Sequence, residues 1–400
     1  MKTNRTKILS VLLGLTILAS CKKDEPIGVT PITEHKYIRL MLSDANSTEL
    51  TLVNPLKLET SKFNAKHAKS ALYTTASGRF ATLIHRDFNF IENFDSGFEF
   101  HGDHVDLKGT PKFASLTGTA NKPTHFKSKG NEILTFNDGD GSLSICKEED
   151  FHNNGAVMRT IATNVIAHHG AMTKFNNGNY AITVKDGSIA GSLPERVKII
   201  DGNGSEVNAS TIQTKGIHGN ASNGSVSLFG SASGVLLVYQ NGNQELIEHP
   251  SNFSTAWFGS ILETSNDNKF IGYTAAMGAY LIDVTTKQIT PIIENKDIMH
   301  CKLDYSNKNL IVMLLNGNLR IYNSSTGVLK KDGKVFMETL KTETSKPFLA
   351  ATERFIYLVD PKEGEINQIS TTNFSDVKKI KVSEKPFSIT ILGYENSQAH

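Results

Sequence analysis

Histidine is the side chain best suited to serve as a neutral metal ligand or a proton carrier near neutral pH, and this chain sets several at regular intervals. His125, His169, His218 and His300 occur in short segments that each precede a β-forming run: Pro123-Thr124-His125, Ala167-His168-His169-Gly170-Ala171, Gly216-Ile217-His218-Gly219-Asn220-Ala221 and Met299-His300-Cys301. His101-Gly102-Asp103-His104, with Asp106 just after, lies in a glycine-spaced stretch that reads as a loop. Imidazole nitrogens with an optional carboxylate are the donors zinc takes, usually four-coordinate. Glycines beside His101, His169 and His218 would let the backbone approach such a centre closely. Each histidine also has a plainer reading, as a hydrogen-bonding partner of a neighbouring strand. His300, beside Cys301, is expected to pack inside, and His35, His67, His85, His152, His249 and His400 to be surface or structural.

Enzyme signatures are missing. There is no His-Glu-x-x-His, no Gly-x-x-x-x-Gly-Lys phosphate loop and no Gly-x-Ser-x-Gly elbow, since Gly230-Ser231-Ala232-Ser233-Gly234 puts alanine where the nucleophile would stand. Asp138-Gly139-Asp140-Gly141-Ser142 lacks the later ligands of a calcium loop and reads as a hairpin turn. A zinc ion with an open position would activate water, so a zinc-dependent hydrolase is the second reading. A surface binding module with purely structural histidines is the third.

The elements that must position these residues are strands. Short runs of Val, Ile, Leu, Phe, Tyr and Thr alternate with Gly/Asn/Asp turns, as in residues 131–136 before Asn137-Asp138-Gly139 and residues 310–315 before Asn316-Gly317-Asn318. Aligned on His125, His169, His218, Phe258, His300 and Phe348, the units step by 44, 49, 40, 42 and 48 residues. Each step holds four strands' worth of chain, which fits a β-propeller blade. A pair of β-sandwiches would show no such period. Residues 37–122 have room for two less regular blades, so the expectation is an all-β propeller of seven or eight blades over residues 37–395. Equivalent positions in radial blades form a ring, so His125, His169 and His218 should converge at one mouth of the central channel.

The N-terminus reads differently. Lys2, Arg5 and Lys7 precede an apolar run from Ile8 to Leu18, too short to span a membrane, and residues 1–20 carry no acidic side chain. Leu18-Ala19-Ser20-Cys21 resembles a bacterial lipobox, with Cys21 the lipidation site and residues 1–20 the signal peptide; residues 21–36 read as a flexible tether. Lys22-Lys23-Asp24-Glu25 resembles the signal that sends Bacteroidetes lipoproteins to the outer face of the outer membrane. The chain carries 42 Lys+Arg against 40 Asp+Glu, and removing the three cations of residues 1–20 leaves 39 against 40. That balance argues against a nucleic-acid partner. Cys146 and Cys301 are expected to be separate thiols.

The order of His-Gly-Asp-His, Pro-Thr-His, His-His-Gly-Ala and Ile-His-Gly-Asn-Ala resembles the periplasmic zinc chaperones of the AztD family, over roughly residues 95–395. The resemblance implies a β-propeller that binds zinc and passes it to the solute-binding protein of an ABC importer. It implies a metal set of His104, His125, His169 and His218, with Asp103, His101 and His168 nearby. The chain departs from the family in its lipid anchor, in lacking a long His/Asp-rich loop and in having no cysteine near His218.

Overall fold

The computed structural model describes residues 34–102 and 104–395. The signal segment, Cys21 and most of the tether therefore lie outside the described residues, while Glu34–Tyr37, which spans the expected join of tether and propeller, forms a 3-10 turn leading into the first strand.

Eight four-stranded antiparallel sheets make up the fold, so the sequence-based range of seven or eight blades resolves to eight. Six of them, blades 3 to 8, each take four consecutive strands between Pro123 and Lys381. Blade 2 uses Ala71–Thr74, Phe80–His85, Phe90–Asp95 and Lys112–Thr119, with an extra hairpin, Phe98–His101 and His104–Leu107, inserted before its outer strand. Blade 1 is split. Its three outer strands lie within residues 38–64, and its inner strand, Pro386–Gly393, comes from the other end of the chain.

The residues dictate these positions. A central blade strand has a neighbouring sheet on both faces, so its sequence runs apolar rather than alternating. Gly234–Tyr239 reads GVLLVY and is buried throughout except at its last residue. The outermost strands meet water, as Leu329–Lys334 does with LKKDGK. Cores form between adjacent blades. Leu228, Leu237 and Val235 of blade 5 pack on Phe258, Phe270 and Tyr280 of blade 6. Cys146 and Cys301 are both free thiols.

Pairing of Ile38–Asp44 with Pro386–Gly393 closes the ring, with Ile38 opposite Gly393 and Leu42 opposite Ile389. Gly393 has φ +100°, and a Cβ there would lie 1.7 Å from the Tyr37 carbonyl oxygen. Gly393→Ala should therefore cost at least about 2 kcal/mol and lower the thermal midpoint. Gly202→Ala, where a Cβ would meet nothing within 4 Å, should leave the midpoint unchanged. Calorimetry of the two variants checks this.

Candidate metal centre

The inner strands of blades 3, 4 and 5 are Pro123–Lys129, Met172–Lys174 and Asn220–Ser222, and all three begin at the same mouth of the channel. His125 is the third residue of the first, while His169 and His218 stand just ahead of the other two. In blade 3 the register slips between Pro123 and His125, so Thr124 is an extra residue in the ladder. Such a bulge re-aims the side chain that follows it. Glycine backs the other two histidines. A Cβ on Gly170 would lie 2.3 Å from the Phe136 ring, and one on Gly219 would lie 2.7 Å from Ser260 Cα.

The three imidazoles meet. His125 Nε2 is 3.2 Å from His169 Nε2, which is in turn 3.2 Å from His218 Nε2. A ligand atom from each lies within 4.8 Å of the others, and this is the one such group of His, Cys, Asp or Glu among the described residues. The opposite ring nitrogens fix the tautomers. His218 Nδ1 donates to the Gly259 carbonyl at 2.8 Å, and His169 Nδ1 donates to Asp138 Oδ2 at 2.8 Å. A neutral imidazole with its proton on Nδ1 presents a lone pair on Nε2. Two such lone pairs 3.2 Å apart repel, so a cation, either a proton or a metal ion, belongs between them. Zinc–nitrogen bonds of about 2.0–2.1 Å in a tetrahedron put neighbouring nitrogens about 3.3 Å apart. The donor set and the two 3.2 Å separations fit zinc, with three of its four positions supplied by these residues.

The surroundings favour neutral ligands. Burial, reinforced by the neighbouring His169 and His218, pulls the His125 pKa down to about 4, so this ring is uncharged at neutral pH. Burial opposes ionisation of Asp138, yet hydrogen bonds from His169 and Thr124 outweigh it and hold the carboxyl below its usual range. Arg86 of blade 2 reaches the same carboxylate at 3.4 Å and donates to Thr124 Oγ1 at 3.0 Å. A carboxylate behind a ligating histidine raises its basicity and fixes its orientation.

Not every histidine expected here arrives. His168 is 6% exposed and turns away from the mouth, its Nδ1 against the Ile166 carbonyl at 2.6 Å and its Nε2 against Thr183 Oγ1 at 2.9 Å. His101 and His104 lie on the blade 2 hairpin, which emerges where Asp95 pairs with Phe80, at the mouth where the inner strands end. There His101 Nε2 is 2.7 Å from Glu99, and His104 Nε2 is 3.7 Å from Asp106. The expected four-histidine set is thus corrected to three, because the hairpin inserts at the opposite end of the blade. Asp103 lies outside the described residues. His300 shares the bulged register of His125, but its Nε2 meets the Pro347 carbonyl at 2.5 Å, as a packed histidine would.

Asp138 is the residue that sequence reasoning missed. It sits in Asn137-Asp138-Gly139, where a turn suffices to explain it. The usable signal was its place just past the strand that pairs with His125. Asp138→Asn should weaken divalent-metal affinity about 10- to 100-fold without unfolding the protein. His168→Ala and His104→Ala should leave that affinity within about twofold, given that neither reaches the triad. Chelator competition on the three variants reads this out.

No family model matches the chain. Among curated proteins it is 26% identical over 408 aligned positions to the zinc chaperone AztD of Citrobacter koseri, covering 97% of this chain and 92% of that protein. Two solved structures of Citrobacter koseri AztD, one described as apo, superpose with TM-scores of 0.79 and 0.80 at 21% identity, covering 90% and 91% of this chain and 98% and 100% of theirs. A dihydro-heme d1 dehydrogenase, NirN, is more distant, with a TM-score of 0.60 at 12% identity over 88% of this chain and 74% of its own. The chain is thus an eight-bladed β-propeller similar, along nearly its whole length, to the zinc chaperone AztD.

Proposed function

We propose that the protein is an extracytoplasmic zinc chaperone that carries one zinc ion on His125, His169 and His218. The observation that supports this most is the meeting of three imidazoles, His125 and His218 each with Nε2 3.2 Å from that of His169, with protons fixed on Nδ1 in His169 and His218. The similarity to a protein named as a zinc chaperone points the same way. Three protein nitrogens hold zinc firmly, while the remaining position accepts water or a ligand from a recipient. That openness suits cargo, which must leave by ligand exchange. Proposed recipients are the solute-binding proteins of ABC zinc importers. Asp138 sits at His169 as an orienting group rather than as a free base, so the arrangement favours carriage over hydrolysis.

Proton competition follows from the same geometry. Ligating imidazoles must be neutral, so zinc binding weakens as pH falls. His125, held at about 4 by burial, stays neutral well into the acid range. Affinity for zinc should drop sharply below about pH 6, the ordinary range for imidazole. His169→Ala and His218→Ala should each cost at least about tenfold in zinc affinity with the β-sheet circular dichroism unchanged. His249→Ala should do nothing, because its Nε2 is spent on the Ser231 carbonyl at 2.8 Å. If each of the three triad histidines can be replaced without loss of zinc affinity, the chaperone reading fails.

We also propose that Cys21 is lipidated and that Lys22-Lys23-Asp24-Glu25 directs the protein to the outer membrane, facing the cell surface. Mass spectrometry of the mature protein should find acyl chains on Cys21, and protease shaving of intact cells should remove it. A soluble product starting elsewhere contradicts the anchor, and protection until lysis contradicts surface exposure.

A further inference from the structure

We propose that the channel mouth opposite the histidine triad holds a second binding site, for a small hydroxylated anion of the sugar-phosphate or sugar-acid class. A cavity of about 560 Å³ lies there, bounded by the ends of the inner strands of blades 3 to 7 and the loops that follow them. That size falls in the usual range for small-molecule sites.

One wall is cationic. Lys127 and Lys129 occupy alternate positions of the blade 3 inner strand, and Lys174 ends that of blade 4. Lys127 Nζ lies 3.2 Å from the Asn220 carbonyl and 3.4 Å from Glu263 Oε1, and Lys174 Nζ lies 3.0 Å from Glu132. Lys129 differs: its Nζ is buried and has no hydrogen-bond partner. An ammonium group removed from water without a partner is costly, and burial pulls its pKa below the ordinary lysine value. Glu263 and Asp267 offset that only in part, and an anionic group entering the cavity would add counter-charge.

Carboxylates interspersed with those lysines account for the hydroxyls. Glu263, in contact with Lys127, and Asp267 line the cavity too, and would repel a bare anion beside them. Hydroxyl groups can donate to those carboxylates, and the side-chain amides of Asn223, Asn266 and Asn307 offer both donors and acceptors around them. A ligand with an acid group at one end and hydroxyls along its length matches both kinds of lining group. Nothing in the chaperone reading uses this mouth, so the two sites stand or fall separately.

Calorimetric titration of the metal-free protein with glucose 6-phosphate and with gluconate tests the site, with glucose and inorganic phosphate as partial ligands. At least one hydroxylated anion should bind with Kd below about 1 mM, and glucose and phosphate should bind at least about tenfold more weakly. Lys129→Met, which keeps the apolar stem, should weaken binding at least about tenfold, and Lys127→Met should weaken it measurably. Both variants should retain wild-type zinc affinity, which also shows that they fold. The proposal is overturned if neither hydroxylated anion binds at about 10 mM, if phosphate alone binds as tightly, or if binding survives in both variants.

Discussion

Ring closure is the constraint on which the rest of this molecule depends. Eight sheets with apolar faces can all be covered only if the last packs against the first, and the strand Pro386–Gly393 makes that join by pairing with Ile38–Asp44. A ring that closes has an axis, and an axis gives inner-strand positions a common destination. His125, His169 and His218 are 44 and 49 residues apart along the chain, yet their Nε2 atoms lie 3.2 Å apart in sequence order. Three consecutive blades supply them, so the triad sits to one side of the mouth. At the same position blades 6 and 8 present Phe258, fully buried, and Phe348, packed against the blade 8 and blade 1 core.

The electrostatics of the centre follow from what lies behind it. Burial and the mutual proximity of the rings keep His125 neutral, while a backbone carbonyl and a carboxylate hold protons on the far sides of His218 and His169. His169 and His218 thus turn their Nε2 atoms toward each other, where a proton or a metal ion relieves the repulsion of the two lone pairs. Asp138 does more than orient. Shared between His169 and Arg86, it places a negative charge behind the ligands and a positive charge beside them.

Much of this was legible in the sequence, and the parts that were not have physical reasons. The repeat from His125 onward was readable because each of those blades is built from uninterrupted chain. Blade number was ambiguous because blade 1 is assembled from both ends and blade 2 is broken by the hairpin at Phe98–Leu107. The triad was readable because its members share one register. His168 was not separable from His169, since only the backbone path decides which of two neighbours faces the axis. His101 and His104 carry the right donors, but an inserted hairpin belongs to whichever mouth its flanking strands reach, and that depends on strand direction counted from the ring's start. Asp138 was hidden by its turn, where Asn-Asp-Gly needs no further explanation.

X-ray absorption spectroscopy of the zinc-loaded protein, combined with a crystal structure of the same state, tests the central claim most directly. The account predicts one zinc bound by the Nε2 atoms of His125, His169 and His218 at about 2.0–2.1 Å, with a non-protein fourth ligand facing the mouth. Zinc held instead at the hairpin bearing His101 and His104, or fewer than three imidazoles in its shell, would contradict it.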